Sequence, residues 1–171
     1  MGEDVELVQV EVVGQVLAHA DDEIVVLLLD PDSELLVPIL IGAAEASAIA
    51  SAQAGIVPPR PMTHDLLRDV LVATGSGLTR VEITRLEDGV FHAELVLQTG
   101  PRVDSRASDA IALALRFACP VLCSAEVVAV AGVEVRTTTS EQDLERFRRF
   151  LDLVTPEDFS TGAEPDDEPG T

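Results

Sequence analysis

The feature that most constrains this fold is a pattern met twice along the chain: three strand-like segments, then a helix almost free of charge. In the first half, Val5 to Val16 alternates apolar and polar residues, Glu23 to Asp30 is an apolar run bounded by acids, and Leu35 to Ile41 reads as a third strand. Asp30-Pro31-Asp32-Ser33 supplies the turn between the last two. Gly42 then opens a helix of small residues to about Ala54. After the stiff Pro58-Pro59-Arg60-Pro61 elbow, a second helix runs from Thr63 to Thr74 and stops at Gly75. The second half repeats the order. Leu78 to Leu86 and Val90 to Gln98 flank the turn Glu87-Asp88-Gly89, and Arg102 to Ser105 is a short third strand. Ser108 is expected to cap a helix through Ala118, and a shorter helix spans Ala125 to Ala131 beyond Pro120. The expected fold is therefore α+β: a duplicated β3α2 unit, with copies over about 5–75 and 77–132, inside a domain covering 1–135.

Beyond it, Ser140 to Leu153 reads as an appended helix in the segment 136–159. Leu144, Phe147, Leu151 and Val154 form its apolar stripe. Residues 160–171 are rich in Pro, Gly and acids and read as a disordered tail. The longest aliphatic run, Ile24 to Leu29, is too short to cross a bilayer, and the acidic start shows no signal-peptide pattern. Only Cys119 and Cys123 are present, too few for a disulfide framework, and they read as packed thiols. A cytoplasmic protein without a membrane partner is the expectation, with homo-oligomerisation left open.

Charge bears directly on function. With 11 basic and 31 acidic residues the net charge is −20. Such a surface repels a phosphate backbone and lacks the counterion-release term behind most nucleic-acid binding. There is no Trp, no Tyr and only 5 Phe, so an extended stacking platform is not expected. Nucleic-acid chemistry here would need divalent metals or a local Arg cluster.

Three groups of residues could carry chemistry. Glu45 is the only charge between Ala43 and Ala54, and Asp109 holds the equivalent place in the second such helix. Each could simply complement its helix dipole. Alternatively, pseudo-symmetry brings both into one groove, where they hold a metal. Arg60-Pro61-Met62-Thr63-His64-Asp65 places Thr63 as an N-cap. His64 is then a candidate general base with Asp65 beside it, and Arg60 a grip on an anion. Asp104-Ser105-Arg106-Ala107-Ser108-Asp109 offers Asp104 and Asp109 as metal ligands and Arg106 as a phosphate clamp, or else a structural ion pair.

These blocks carry a resemblance. Pro38-Ile39-Leu40-Ile41-Gly42 with Glu45-Ala46, then Arg60 to Asp65, then Asp104 to Ala114, occur in the order of the bifunctional nuclease (BFN) domain family. The similarity covers roughly residues 5 to 132, with Ala107 standing where the family usually has proline. It implies a duplicated β3α2 fold around one barrel-like, mostly antiparallel sheet flanked by helices. It also implies hydrolysis of RNA and DNA, an activity known chiefly from plant members. On this reading Mg²⁺ or Mn²⁺ would sit on Glu45, Asp104 and Asp109. His64, Asp65, Arg60 and Arg106 would be the catalytic side chains, and RNA or DNA the partner. The alternative is a non-enzymatic regulatory or ligand-binding module in which the same charges are buried ion pairs.

Overall fold

The computed structural model describes residues 6–18 and 23–134; the expected C-terminal helix and acidic tail lie outside the described residues. Its elements are β1 (Leu7–Ala18), β2 (Glu23–Asp30), β3 (Leu35–Ile41), α1 (Ala43–Gln53), α2 (Thr63–Ala73), β4 (Leu78–Glu87), β5 (Val90–Leu97), β6 (Arg102–Arg106), α3 (Ala107–Phe117), β7 (Val121–Ser124), α4 (Ala125–Ala131) and β8 (Val133–Glu134). No helix among the described residues is long and apolar enough to cross a membrane.

The strands form one mixed sheet in the order β6-β5-β4-β7-β1-β2-β3-β8, in which only the β4–β7 pairing is parallel. Two antiparallel meanders, β1-β2-β3 and β4-β5-β6, build most of it, each leading into a helix. The meanders meet through β7. Leu7–Val10 of β1 pairs with β7, whereas Glu11–Ala18 pairs with β2, and the register shifts between Val12 and Gly14 where the strand changes partner. The expected barrel does not close. Strands near both ends of the order, β6 and β3, touch α3, so the sheet curls; yet β6 and β8 remain as separate edges. The halves share the order β-β-β-α and then diverge, because β7 and β8 follow only the second. Both were missed in the sequence, being four and two residues long.

The local chemistry explains the joints. Asp88 and Gly89 both have positive φ, 50° and 79°, as a two-residue hairpin of type I′ requires. The Asp30 carboxylate accepts Ser33 Oγ–H at 2.6 Å and Asp32 N–H at 3.1 Å, closing the β2–β3 turn. Cys123 is fully buried on β7 and Cys119 is partly buried; burial pushes their thiols up to about 12 and about 11, so both behave as packed apolar groups.

The two sparsely charged helices part company. α3 is the core helix, with Ala107, Ser108, Ala110, Ile111, Ala112, Leu113 and Ala114 all buried against Val81, Ile83, Ala93 and Leu95 of the sheet. α1 instead lies on the surface, burying Ala46, Ala48 and Ile49 while Ala43, Ala44, Ser47 and Ala50 face solvent. An alanine costs little on either side of a helix, so composition could not separate the two.

The other face of the β4-β5-β6 meander carries a charge network. Glu82, 2% exposed, accepts Arg80 Nε–H at 2.6 Å and is also bonded by Arg102, whose Nε–H reaches Glu94 at 2.6 Å. Burial alone would raise the Glu82 carboxyl; the Arg102 and Arg80 bonds more than offset this and hold it below the ordinary carboxylate value. A depressed folded pKa means the stabilisation is complete above the unfolded value and disappears as pH falls through the folded one. Glu82→Gln should therefore lower the unfolding free energy by about 1–3 kcal/mol at neutral pH, since its arginines remain half in water. The deficit should shrink toward zero in acid, as read by urea unfolding across pH.

Candidate active site

Two short connections bring the polar residues together. β6 runs into α3 without a loop: Arg106, in extended conformation, is the N-cap, and Ala107 is the first helical residue. Ser108 is therefore not the cap but a buried first-turn residue. On the other side, Gly42 precedes α1, and Glu45 folds back over it. A β-carbon at position 42 would collide with the Glu45 carboxylate, so glycine there lets the acid lie across the helix start.

α1 and α2 both pack on α3. Glu45 and Asp109 then face one guanidinium. Arg106 Nε–H donates to Asp109 Oδ2 at 2.6 Å, and Arg106 Nη2 lies 3.0 Å from Glu45 Oε1. The second oxygen of Asp109, Oδ1, meets His64 Nε2 at 2.9 Å. Arg106 is 66% exposed, whereas His64, Glu45 and Asp109 are largely covered. Burial works to raise the Asp109 carboxyl, and its bonds to Arg106 and His64 outweigh that and lower it; Asp109, with Glu45, in turn raises Arg106. Asp109 thus stays ionised as the hinge of the cluster. A neutral His64 that donates Nε2–H to Asp109 keeps its lone pair on Nδ1. These side chains line one groove of about 730 Å³, whose remaining wall is mostly apolar and includes Met62, Leu67, Val103 and Leu113.

Not every candidate from the sequence joins them. Asp65, expected beside His64, points elsewhere. Its Oδ1 accepts Arg116 Nε–H at 2.6 Å, and its Oδ2 accepts the Met62 N–H at 3.0 Å. That second bond makes Met62 the N-cap and Thr63 the first helical residue, so a Thr63 cap is unnecessary. Asp104 lines the groove, but it pairs in register with Glu94, which pairs with Glu82, so its side chain shares their sheet face. Arg60 sits exposed on the elbow, outside the groove lining, with no ion pair or hydrogen bond among the described residues.

The residue that sequence reasoning passed over is Arg116. Only 5% exposed, it holds Asp65 and donates Nη1–H to the carbonyls of Ala48 and Ala112 at 3.1 and 2.9 Å, joining α1, α2 and α3. Its signal was visible as the one base in a helix whose only other charge is Asp109. The tie matters because no residue of α2 is buried. His64 on Asp109 and Asp65 on Arg116 are the polar anchors that hold this helix to α3.

The donor set does not fit a divalent cation as it stands. Mg²⁺ and Mn²⁺ need several converging oxygens. Here Glu45 and Asp109 close on a guanidinium, and Asp104 belongs to the other sheet face. Among the described residues no group of three or more His, Cys, Asp or Glu side chains is arranged to hold a metal.

The family model described as Bifunctional nuclease domain matches residues 26–136. An uncharacterized protein of Mycobacterium tuberculosis is 40% identical over 159 residues, covering 88% of this chain and 97% of that protein. A bifunctional nuclease of Oryza minuta is 22% identical over 151 residues, 85% of this chain but 44% of its own length. Bifunctional nuclease 1 of Oryza sativa subsp. indica is 23% identical over 124 residues, 69% of this chain and 38% of its own.

The geometry separates structural from reactive charges by experiment. Asp109→Asn should cost no more than about 1 kcal/mol of stability, because the arginine it leaves is mostly in water. Arg116→Met should cost about 3–5 kcal/mol, because it leaves Asp65 covered and uncompensated. Thermal and denaturant unfolding of the two variants measures both.

Proposed function

This chain belongs to the bifunctional nuclease domain family, and on that premise we propose that it hydrolyses phosphodiester bonds of RNA or DNA in the groove between α1, α2 and the β6–α3 junction. In this reading Asp109 orients His64 and stabilises the imidazolium that forms when His64 takes a proton from the attacking water. Arg106 meets the phosphate. Its Nε and Nη2 serve Asp109 and Glu45, and Nη1 has no partner among the described residues. That edge is available to a phosphoryl oxygen, whose charge rises in the transition state. The observation that carries the proposal is the contact at 2.9 Å between His64 and Asp109, 45 residues apart in sequence, beside an exposed arginine on an open groove.

No step here runs through a metal, since the donors do not converge on one. Were Mg²⁺ or Mn²⁺ required, Glu45 and Asp109 would be its first ligands, and Arg106 would have to leave them. The second reading, a ligand-binding module without catalysis, draws on one observation: Arg106 is already neutralised by two carboxylates. Against it, the Arg106 guanidinium is too exposed for these pairs to serve mainly as a buried staple.

The test is turnover by the purified chain on RNA and on DNA, with EDTA and with added Mg²⁺ or Mn²⁺. His64→Gln should lower kcat by about 10²–10⁴-fold, the usual share of a general base. Wild-type rates in both His64→Gln and Asp109→Asn would remove the dyad from catalysis and the nuclease from this groove.

A further inference from the structure

Resting on that reading, we propose that the substrate is a short single-stranded oligonucleotide, down to a dinucleotide, whose two neighbouring bases enter separate apolar pockets on either side of Arg106. A second pocket, of about 490 Å³, adjoins the groove and shares Glu45 and Arg106 with it. Both volumes fall in the range of about 300–1,000 Å³ typical of small-molecule sites. The second pocket is walled by Pro38, Leu40, Val90 and Phe91, and Leu40 is 57% exposed there. Each side therefore offers an apolar surface, one including an aromatic ring, and a single cation stands between them. This is the order base–phosphate–base.

Charge narrows the choice further. Arg106 is the sole arginine among the described residues that line either pocket, and it is paired with Glu45 and Asp109. One guanidinium edge can meet one phosphate. Every further phosphate of a long strand would approach a protein of net charge −20 without a second arginine lining either pocket to receive it. A duplex has the added difficulty that its bases are stacked and paired, so their faces cannot enter pockets unless the strand is first opened. A short unpaired strand meets both conditions.

The chain contains no Trp and no Tyr, so Leu40→Trp introduces a sole strong fluorophore beside Phe91. Adenylyl-adenosine, a dinucleoside monophosphate, should quench that fluorescence saturably as a base stacks on the new ring. Binding should weaken about 5- to 150-fold in Phe91→Ala and in Leu67→Ala, the loss expected of one stacked or packed base. Should Phe91→Ala fail to fold, Val90→Ala in the same Leu40→Trp background alters only a side chain that is 56% exposed and should weaken binding in the same direction. In turnover, the duplex should be cleaved about 100-fold more slowly than either of its separated strands. The dinucleotide should keep a kcat within about tenfold of the long strand, because the reacting phosphate has the same neighbours.

Equal rates on duplex and single strand, or no fluorescence change with the dinucleotide, would overturn the two subsites while leaving a nuclease in place. Saturable quenching without turnover of any substrate would uphold the subsites and sink the hydrolytic reading.

Discussion

The carboxylate of Asp109 is shared between two elements, and the geometry of the groove depends on that sharing. One oxygen takes the Arg106 Nε–H one turn upstream; the other takes His64 from α2. Through Arg106 it also reaches Glu45 on α1. A carboxylate can do this because it accepts at both oxygens. It can be held there because α3 carries it on a buried helix of small residues that lets α1 pack beside it. Without Asp109, His64 would lose its orienting partner, and α2, none of whose residues is fully buried, would keep Asp65–Arg116 as its polar anchor to α3.

The arrangement also explains how a strongly acidic protein could handle an anionic substrate. Net charge governs approach from a distance and the number of phosphates that can lie on the surface. It does not decide what happens at a single exposed guanidinium within a groove, where short contacts dominate and walls of apolar side chains strengthen them. Under the proposed function the acidity would act as a filter on substrate size more than as an argument against phosphodiester chemistry.

Much of this was legible in the sequence, and the parts that were not have physical reasons. Alternation and turn chemistry give β1 to β6 and the Asp88-Gly89 hairpin, because both are local. The meeting of Glu45 with Asp109 across Arg106 followed from matching single acids on oily helices, whereas His64 entered from a separate motif on α2. Asp65 was misread because its partner, Arg116, is 51 residues away, and adjacency to His64 in sequence says nothing about direction around a helix. Asp104 lines the groove as expected, but cross-strand register with Glu94, which no local pattern reveals, sets its side chain on the charged sheet face. The barrel-like sheet stays open at its edges, where β8 ends the order as a two-residue strand beside β3.

The central claim is that His64 and Asp109 act as one unit on the substrate. The most direct measurement is a double-mutant cycle on kcat, comparing His64→Gln, Asp109→Asn and the two combined under single-turnover conditions. If they work together, the double variant should be hardly slower than the worse single one, since either change already disables the pair. Losses that simply multiply, or singles that retain the full rate, would contradict it.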